Sequence, residues 1–259
     1  AIFNRGGGYT SAEQPRLASF IEAAAGGYQP KAKVPYHNWR HAVDVTHSIF
    51  RMMSYCQSER WLSHLERFGL VISAICHDIG HPGQSNPFLV ETSHELAMRY
   101  NDHSPLENMH CAKLFEIIKD PQCAVFGHLD SKGYRETRTI CIEAILHTDN
   151  IHHFGMVKEL QMMYEMSSDI FDISLQMYQT NPLDFPAKET IDIFTDPEKK
   201  KLLRNLFLHF SDISNPVKPF QICKRWAWCV IDEFFLQGEK EKEMGIPVQP
   251  LNDREKVNR

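Results

Sequence analysis

Ile75-Cys76-His77-Asp78-Ile79-Gly80-His81-Pro82-Gly83 is the point at which an apolar helix ends and polar, chemically capable residues begin. Upstream, Leu62, Leu65, Phe68, Val71, Ile72 and Ile75 recur at three- and four-residue steps across 61–76, the period of a helix with a buried face. Downstream, Pro82-Gly83 and Asn86-Pro87 punctuate a loop. The helical period returns in 15–25, from Asn38 onward through Val45, Ile49, Met52 and Met53, and in 107–118, 136–147, 156–178, 197–210 and 220–237. No stretch alternates apolar and polar residues between hairpin turns, so strands are not expected. The 259 residues show no internal repeat and no low-complexity linker. One all-α domain over 1–259 is the simplest reading.

Composition narrows the function class. Hydrophobic residues make up 42% and charged residues 24%, which excludes a disordered or fibrous chain. Net charge is −5 and no block of like charge is long, so a nucleic-acid partner is not expected. The run Glu239-Lys240-Glu241-Lys242-Glu243 reads as a solvated helical face. No apolar run approaches the roughly 20 residues of a membrane span, and no signal peptide is legible. The seven cysteines are odd in number, irregularly spaced and lack a CxxC pair. That pattern fits small buried thiols in a reducing, cytoplasmic setting and excludes a cysteine-based zinc site. Histidine is the unusual residue, with fourteen copies, many beside Asp, Asn or Glu.

Three segments could converge on a metal. His37 and His41 are four residues apart, so a helix starting there puts both imidazoles on one face. His77 and Asp78 end an apolar helix; adjacent helical residues diverge by about 100°, so both reach one ion only at the helix end. Asp212 ends the strongly apolar segment around Phe207, Leu208 and Phe210, just before a Pro-enforced stop. Each piece has a plainer reading: a cap and a core histidine for the first, a cap of the following segment for Asp212. The joint pattern favours the ion. Two His and two Asp suit Zn²⁺, and Asp78, with two oxygens, could bridge to a harder Mg²⁺ or Mn²⁺.

At these residues the chain resembles the class I cyclic-nucleotide phosphodiesterases. Tyr36-His37-Asn38-Trp39-Arg40-His41-Ala42-Val43-Asp44-Val45 is similar to that family's YHNxxHAxDV block. The stretch from His77 to Asn86 is similar to its HDxxHPGxxN signature, and Asp212-Ile213-Ser214-Asn215-Pro216 to its D(L/I)SNP block. Asp232-Glu233-Phe234-Phe235-Leu236-Gln237-Gly238 agrees in order and spacing. The resemblance implies a compact multi-helix catalytic domain of the HD superfamily. It implies that His41, His77, Asp78 and Asp212 bind Zn²⁺, that Asp78 also binds Mg²⁺, and that His37 is the general acid. It makes His81, Glu107 and Asp149 orienting groups behind the ligands. Tyr36, Ile213, Asn215, Val230 and Phe234 would then join His37, Asp78 and Asp212 in the substrate pocket. The chain departs from the pattern in two places. It stops at Arg259, before the family's purine-binding glutamine and second clamp phenylalanine, so the C-terminal end is expected to be missing. Asn150 stands where many members have Met.

The chemistry so implied is hydrolysis of cyclic AMP or cyclic GMP to a 5′-nucleotide. Two cations neutralise the phosphodiester and acidify a water, and His37 protonates the 3′ oxygen as it leaves. A carboxylate is expected to keep His37 protonated, with Glu107 one candidate. A homodimer and regulatory domains outside the chain are compatible with this reading. The rival readings are an HD-type phosphohydrolase of linear nucleotides and a non-catalytic cyclic-nucleotide-binding module.

Overall fold

The computed structural model describes residues 14–181 and 185–257. Among them twelve α-helices occur and no strand. In chain order they are α1 (Gln14–Gly26), α2 (Trp39–Tyr55), α3 (His64–Cys76), α4 (Asn86–Glu91), α5 (Glu95–Arg99), α6 (Pro105–Ile118), α7 (Ser131–Leu146), α8 (His153–Glu165), α9 (Ser168–Thr180), α10 (Lys188–Thr195), α11 (Pro197–Asp212) and α12 (Phe220–Glu243). None is long and apolar enough to cross a membrane. All seven cysteines are free thiols.

The axis of the fold is α3. Every residue from Phe68 to Cys76 is buried, because the helix is apolar on all sides and neighbours cover all of them. Val45 and Ile49 of α2, Ile140 and Ala144 of α7, Leu114 of α6, Leu208 of α11 and Phe20 of α1 complete the core. Helices α3 and α7 approach closely at Gly69, where an added Cβ would lie 3.2 Å from Ile140 Cγ2. A smaller apolar cluster, Phe88, Leu89, Leu96, Ala97, Leu106 and Met109, ties α4 and α5 to α6.

The structure departs from the periodicity reading in instructive places. Helix α3 starts at His64 because Ser63 and Glu66 form a reciprocal capping box. Asn86-Pro87, read as loop punctuation, instead opens α4: Pro87 occupies the first turn, where its missing N–H is not needed, and Ser85 caps Phe88 N. The stretch 156–178 divides at Met166-Ser167 into α8 and α9. The alternating charge run at 239–243 is not wholly solvated. Glu241 is buried and accepts from Gln237 Nε2 and Asn252 Nδ2, both at 2.8 Å.

A polar clamp holds α11 against the start of α3. Glu66, buried, accepts from Arg204 Nη1 at 2.8 Å and pairs with Lys200 Nζ at 3.2 Å. Burial pushes the Glu66 carboxyl up, but the Ser63 N–H and the Lys200 and Arg204 charges outweigh it and hold it below its usual value. Glu66→Ala removes a cap and the shorter of the two carboxylate contacts of Arg204, whose other, to Glu143, is 3.5 Å, so it should destabilise the fold by about 2 kcal/mol. Lys201, on the rim with its side chain 43% exposed, should cost less than about 0.5 kcal/mol when changed to Ala. Urea midpoints of the two variants test this, and equal shifts would contradict the clamp.

Candidate metal centre

Three helix ends converge. Asn38 caps α2 by accepting from Arg40 N at 3.0 Å, and its amide donates to Val34 O and Pro35 O. That fixes His37 just outside α2 and His41 within its first turn. His77 and Asp78 follow the last residue of α3, and Asp212 is the last residue of α11. Both latter ends carry the negative pole of a helix, which favours a cation.

The four expected ligands meet there. His41 Nε2 lies 2.8 Å from Asp212 Oδ1 and 3.4 Å from Asp78 Oδ2. His77 Nε2 lies 3.0 Å from Asp78 Oδ2, 3.3 Å from Asp212 Oδ1 and 3.3 Å from His41 Nε2. Donors held at roughly 2.0–2.2 Å from one ion stand about 3.0–3.5 Å apart, so these separations are those of a ligand shell. His77 Nδ1 donates to Ala74 O at 3.0 Å, which leaves the Nε2 lone pair facing inward. Asp78 Oδ2 is buried without a directed hydrogen bond among the described residues. The donor set therefore fits a metal.

Electrostatics agree. Burial pulls the His77 imidazole down, but Asp78 and Asp212 outweigh it and hold it well above its usual value. Burial likewise opposes ionisation of Asp78 and Asp212, yet His77 and its neighbours keep both below the usual carboxylate range. A buried and a half-buried carboxylate draw positive charge into the cluster. A proton on His77 is one answer, and a metal ion, which displaces that proton, is a stronger one.

Beside this cluster stands a second one. His37 Nδ1 lies 2.5 Å from Glu233 Oε1, and Glu233 Oε2 accepts from Tyr36 N at 2.7 Å and His37 N at 3.0 Å. Burial lowers His37, but Glu233 and then Asp78 raise it to about 9; burial raises Glu233, but the charge on His37 brings it to about 2. The carboxylate at His37 is thus Glu233, not Glu107. Glu107 accepts instead from Asn86 Nδ2 at 2.8 Å, and burial, with Asp149 nearby, pushes it up to about 7. His81 stacks face to face on His37 with ring centres 3.9 Å apart, and burial beside charged His37 keeps it well below its usual value. Gly80 and Gly83, both at φ +79°, allow the loop to double back around it.

The remaining expected residues are placed unequally. Asn86 joins Glu107 to Asp149, whose Oδ2 also accepts from Ser104 Oγ at 2.8 Å. Tyr36 is buried and wedged against the rings of His37, His41 and Trp226, and its hydroxyl accepts from Asn215 Nδ2 at 2.5 Å. Val230 and Phe234 are half-buried on one stripe of α12, and Ile213 is 38% exposed after α11. Three residues that the sequence reading gave no role also stand at the cluster. Glu233 lies in a quoted block but had no role. Trp226 packs on Tyr36 and His41. His110 donates through Nδ1 to Ile79 O at 2.8 Å and turns Nε2 toward Asp78 Oδ1 at 3.8 Å. Its position three residues after Glu107, one helical turn, was the available signal.

Comparison with known proteins identifies the family. The profile of the 3′5′-cyclic nucleotide phosphodiesterase family matches residues 36–259. The high affinity cGMP-specific 3′,5′-cyclic phosphodiesterase 9A of Mus musculus is 34% identical over 225 residues, covering 87% of this chain and 38% of that protein. A 3′,5′-cyclic-AMP phosphodiesterase, isoform F, of Drosophila melanogaster is 36% identical, covering 85% of this chain and 31% of that one. The chain thus spans about a third of the length of these relatives. Among solved structures, the phosphodiesterase domain of Salpingoeca rosetta rhodopsin phosphodiesterase superposes with a TM-score of 0.80 at 28% identity, covering 93% of this chain and 66% of that one. The metal-ligand geometry and the family profile lead to one assignment: the chain belongs to the 3′,5′-cyclic nucleotide phosphodiesterase family.

Proposed function

We propose that the chain hydrolyses 3′,5′-cyclic nucleotides, cyclic AMP or cyclic GMP, to 5′-nucleotides. The observation that carries this is the His37–Glu233 pair at 2.5 Å beside a four-donor metal cluster, in a member of this family. His41, His77, Asp78 and Asp212 would hold Zn²⁺, with Asp78 shared by Mg²⁺. When bound, the metals supply positive charge for the phosphate and acidify a water.

The chain's own residues do the rest. Glu233 takes the Nδ1 proton of His37 as its hydrogen bond, which leaves Nε2–H to give to the departing 3′ oxygen. Its other oxygen is already bound by two backbone N–H groups, so Glu233 acts as an orienting anion and not as a ligand. Neutral His81, stacked on His37, keeps that ring in plane without competing for its proton. Tyr36, held by Asn215, spaces His37 from His41.

Steady-state assays with both cyclic nucleotides test the roles. His37→Ala should lower kcat by roughly 10²–10⁴-fold with little change in KM. Asp212→Ala should abolish turnover and metal retention together. Near-wild-type rates in either variant would remove that residue from the scheme. Glu233→Gln tests the acid separately. His37 must be protonated to act, so rate is lost as pH rises through its pKa. Removing the Glu233 charge lowers that pKa, so the alkaline limb of the kcat profile should move toward acid by more than about one pH unit. An unmoved limb would exclude Glu233 as the controlling anion. Exhaustive chelation should lower both activity and the melting temperature, and Zn²⁺ with Mg²⁺ should restore them.

A further inference from the structure

A second cavity lies away from the metal centre, between the C-terminal end of α6 and the first turns of α7. It measures about 670 Å³. That is within the roughly 300–1,000 Å³ range of small-molecule sites. Its floor is apolar and firm: Phe115, Ile118 and Phe126 are all buried. Its rim is cationic, formed by Lys119, Arg135 and Arg138. Arg135 and Arg138 are one turn apart on α7, and the Arg138 guanidinium lies 4.0 Å from the centre of the Phe115 ring. That stacking orients the guanidinium while leaving its N–H edges free.

The rim charges are not neutralised locally. Among the described residues none of the three cations has a carboxylate within ion-pair distance. The nearby acids Asp120 and Asp130 do not line the cavity, and each accepts from a local backbone N–H, of Gln122 and Gly133 respectively. A fourth cation stands at the edge: Arg16 Nη1 is 3.9 Å from where a Cβ on Gly127 would lie. A chain of net charge −5 thus gathers unpaired positive charge over an aromatic hollow.

We infer that this cavity binds a small organic anion, an aryl or acyl body bearing one phosphate or carboxylate. The apolar body would fill the floor, and the anion would sit between Arg135 and Arg138, where planar donors bind two oxygens at once. Fluorescence titration of the metal-loaded protein with 2-naphthyl phosphate and 2-naphthoate tests it, with neutral 2-naphthol as control. Both anions should bind at least tenfold more tightly than 2-naphthol, and any preference between them names the head group. The double variant R135Q/R138Q changes exposed side chains only. It should weaken both anions at least tenfold and leave 2-naphthol unchanged. Ala124→Phe, which fills the cavity without altering charge, should weaken all three. Equal binding of anion and alcohol, or unchanged anion binding in R135Q/R138Q, would overturn the assignment.

Discussion

Two carboxylates and two imidazoles, all drawn from helix ends, face one another across about 3 Å. Such a group cannot be buried by packing alone, because each ionised oxygen loses water that no apolar neighbour replaces. Everything around it reduces that cost. The apolar axis of α3 places His77 and Asp78 with little freedom, and Tyr28 fixes its end by donating to Ile75 O at 2.9 Å. The clamp of Arg204 on Glu66 sets where α11, and therefore Asp212, comes to rest. The core is in this sense a jig for four donor atoms.

The fold was legible where local chemistry and global packing agree. The four clustered side chains were readable as a group because each sits at a helix end, and helix ends carry punctuation: Asn38 as a cap, Gly80 and Pro82 after His77, Pro216 after Asp212. The axis α3 was readable because an all-round apolar helix admits one environment only. The failures have physical reasons too. Pro87 was taken for an interruption because its lost donor matters inside a helix but not in a first turn. Periodicity ran across Met166 because the apolar spacing continues through the break, and only Ser167 and Ser168 mark it.

Helix α12 was the least legible element in its functional role. Its inward stripe includes Glu233, Gln237 and Glu241, a spacing that on any surface helix would be the wet face. Glu233 and Gln237 are buried against partners distant in sequence, and Glu241 against near ones. Glu233 meets backbone donors of residues 36 and 37, Gln237 accepts from Ser85 N at 2.8 Å, and Glu241 meets Asn252. Gly238 lets the chain close tightly over them, since a Cβ there would stand 2.1 Å from Asn252 O. Polarity patterns cannot reveal a buried polar seam two of whose members find partners 152 to 197 residues away.

The bond from Glu233 to His37 joins residues 196 positions apart. The four clustered donors all precede α12 in the chain, whereas the carboxylate that charges His37 lies on it. The two halves of the site therefore rest on different segments: the four-donor cluster draws on α2, α3 and α11, and the His37 pair on α12 docked against residues 36 and 37.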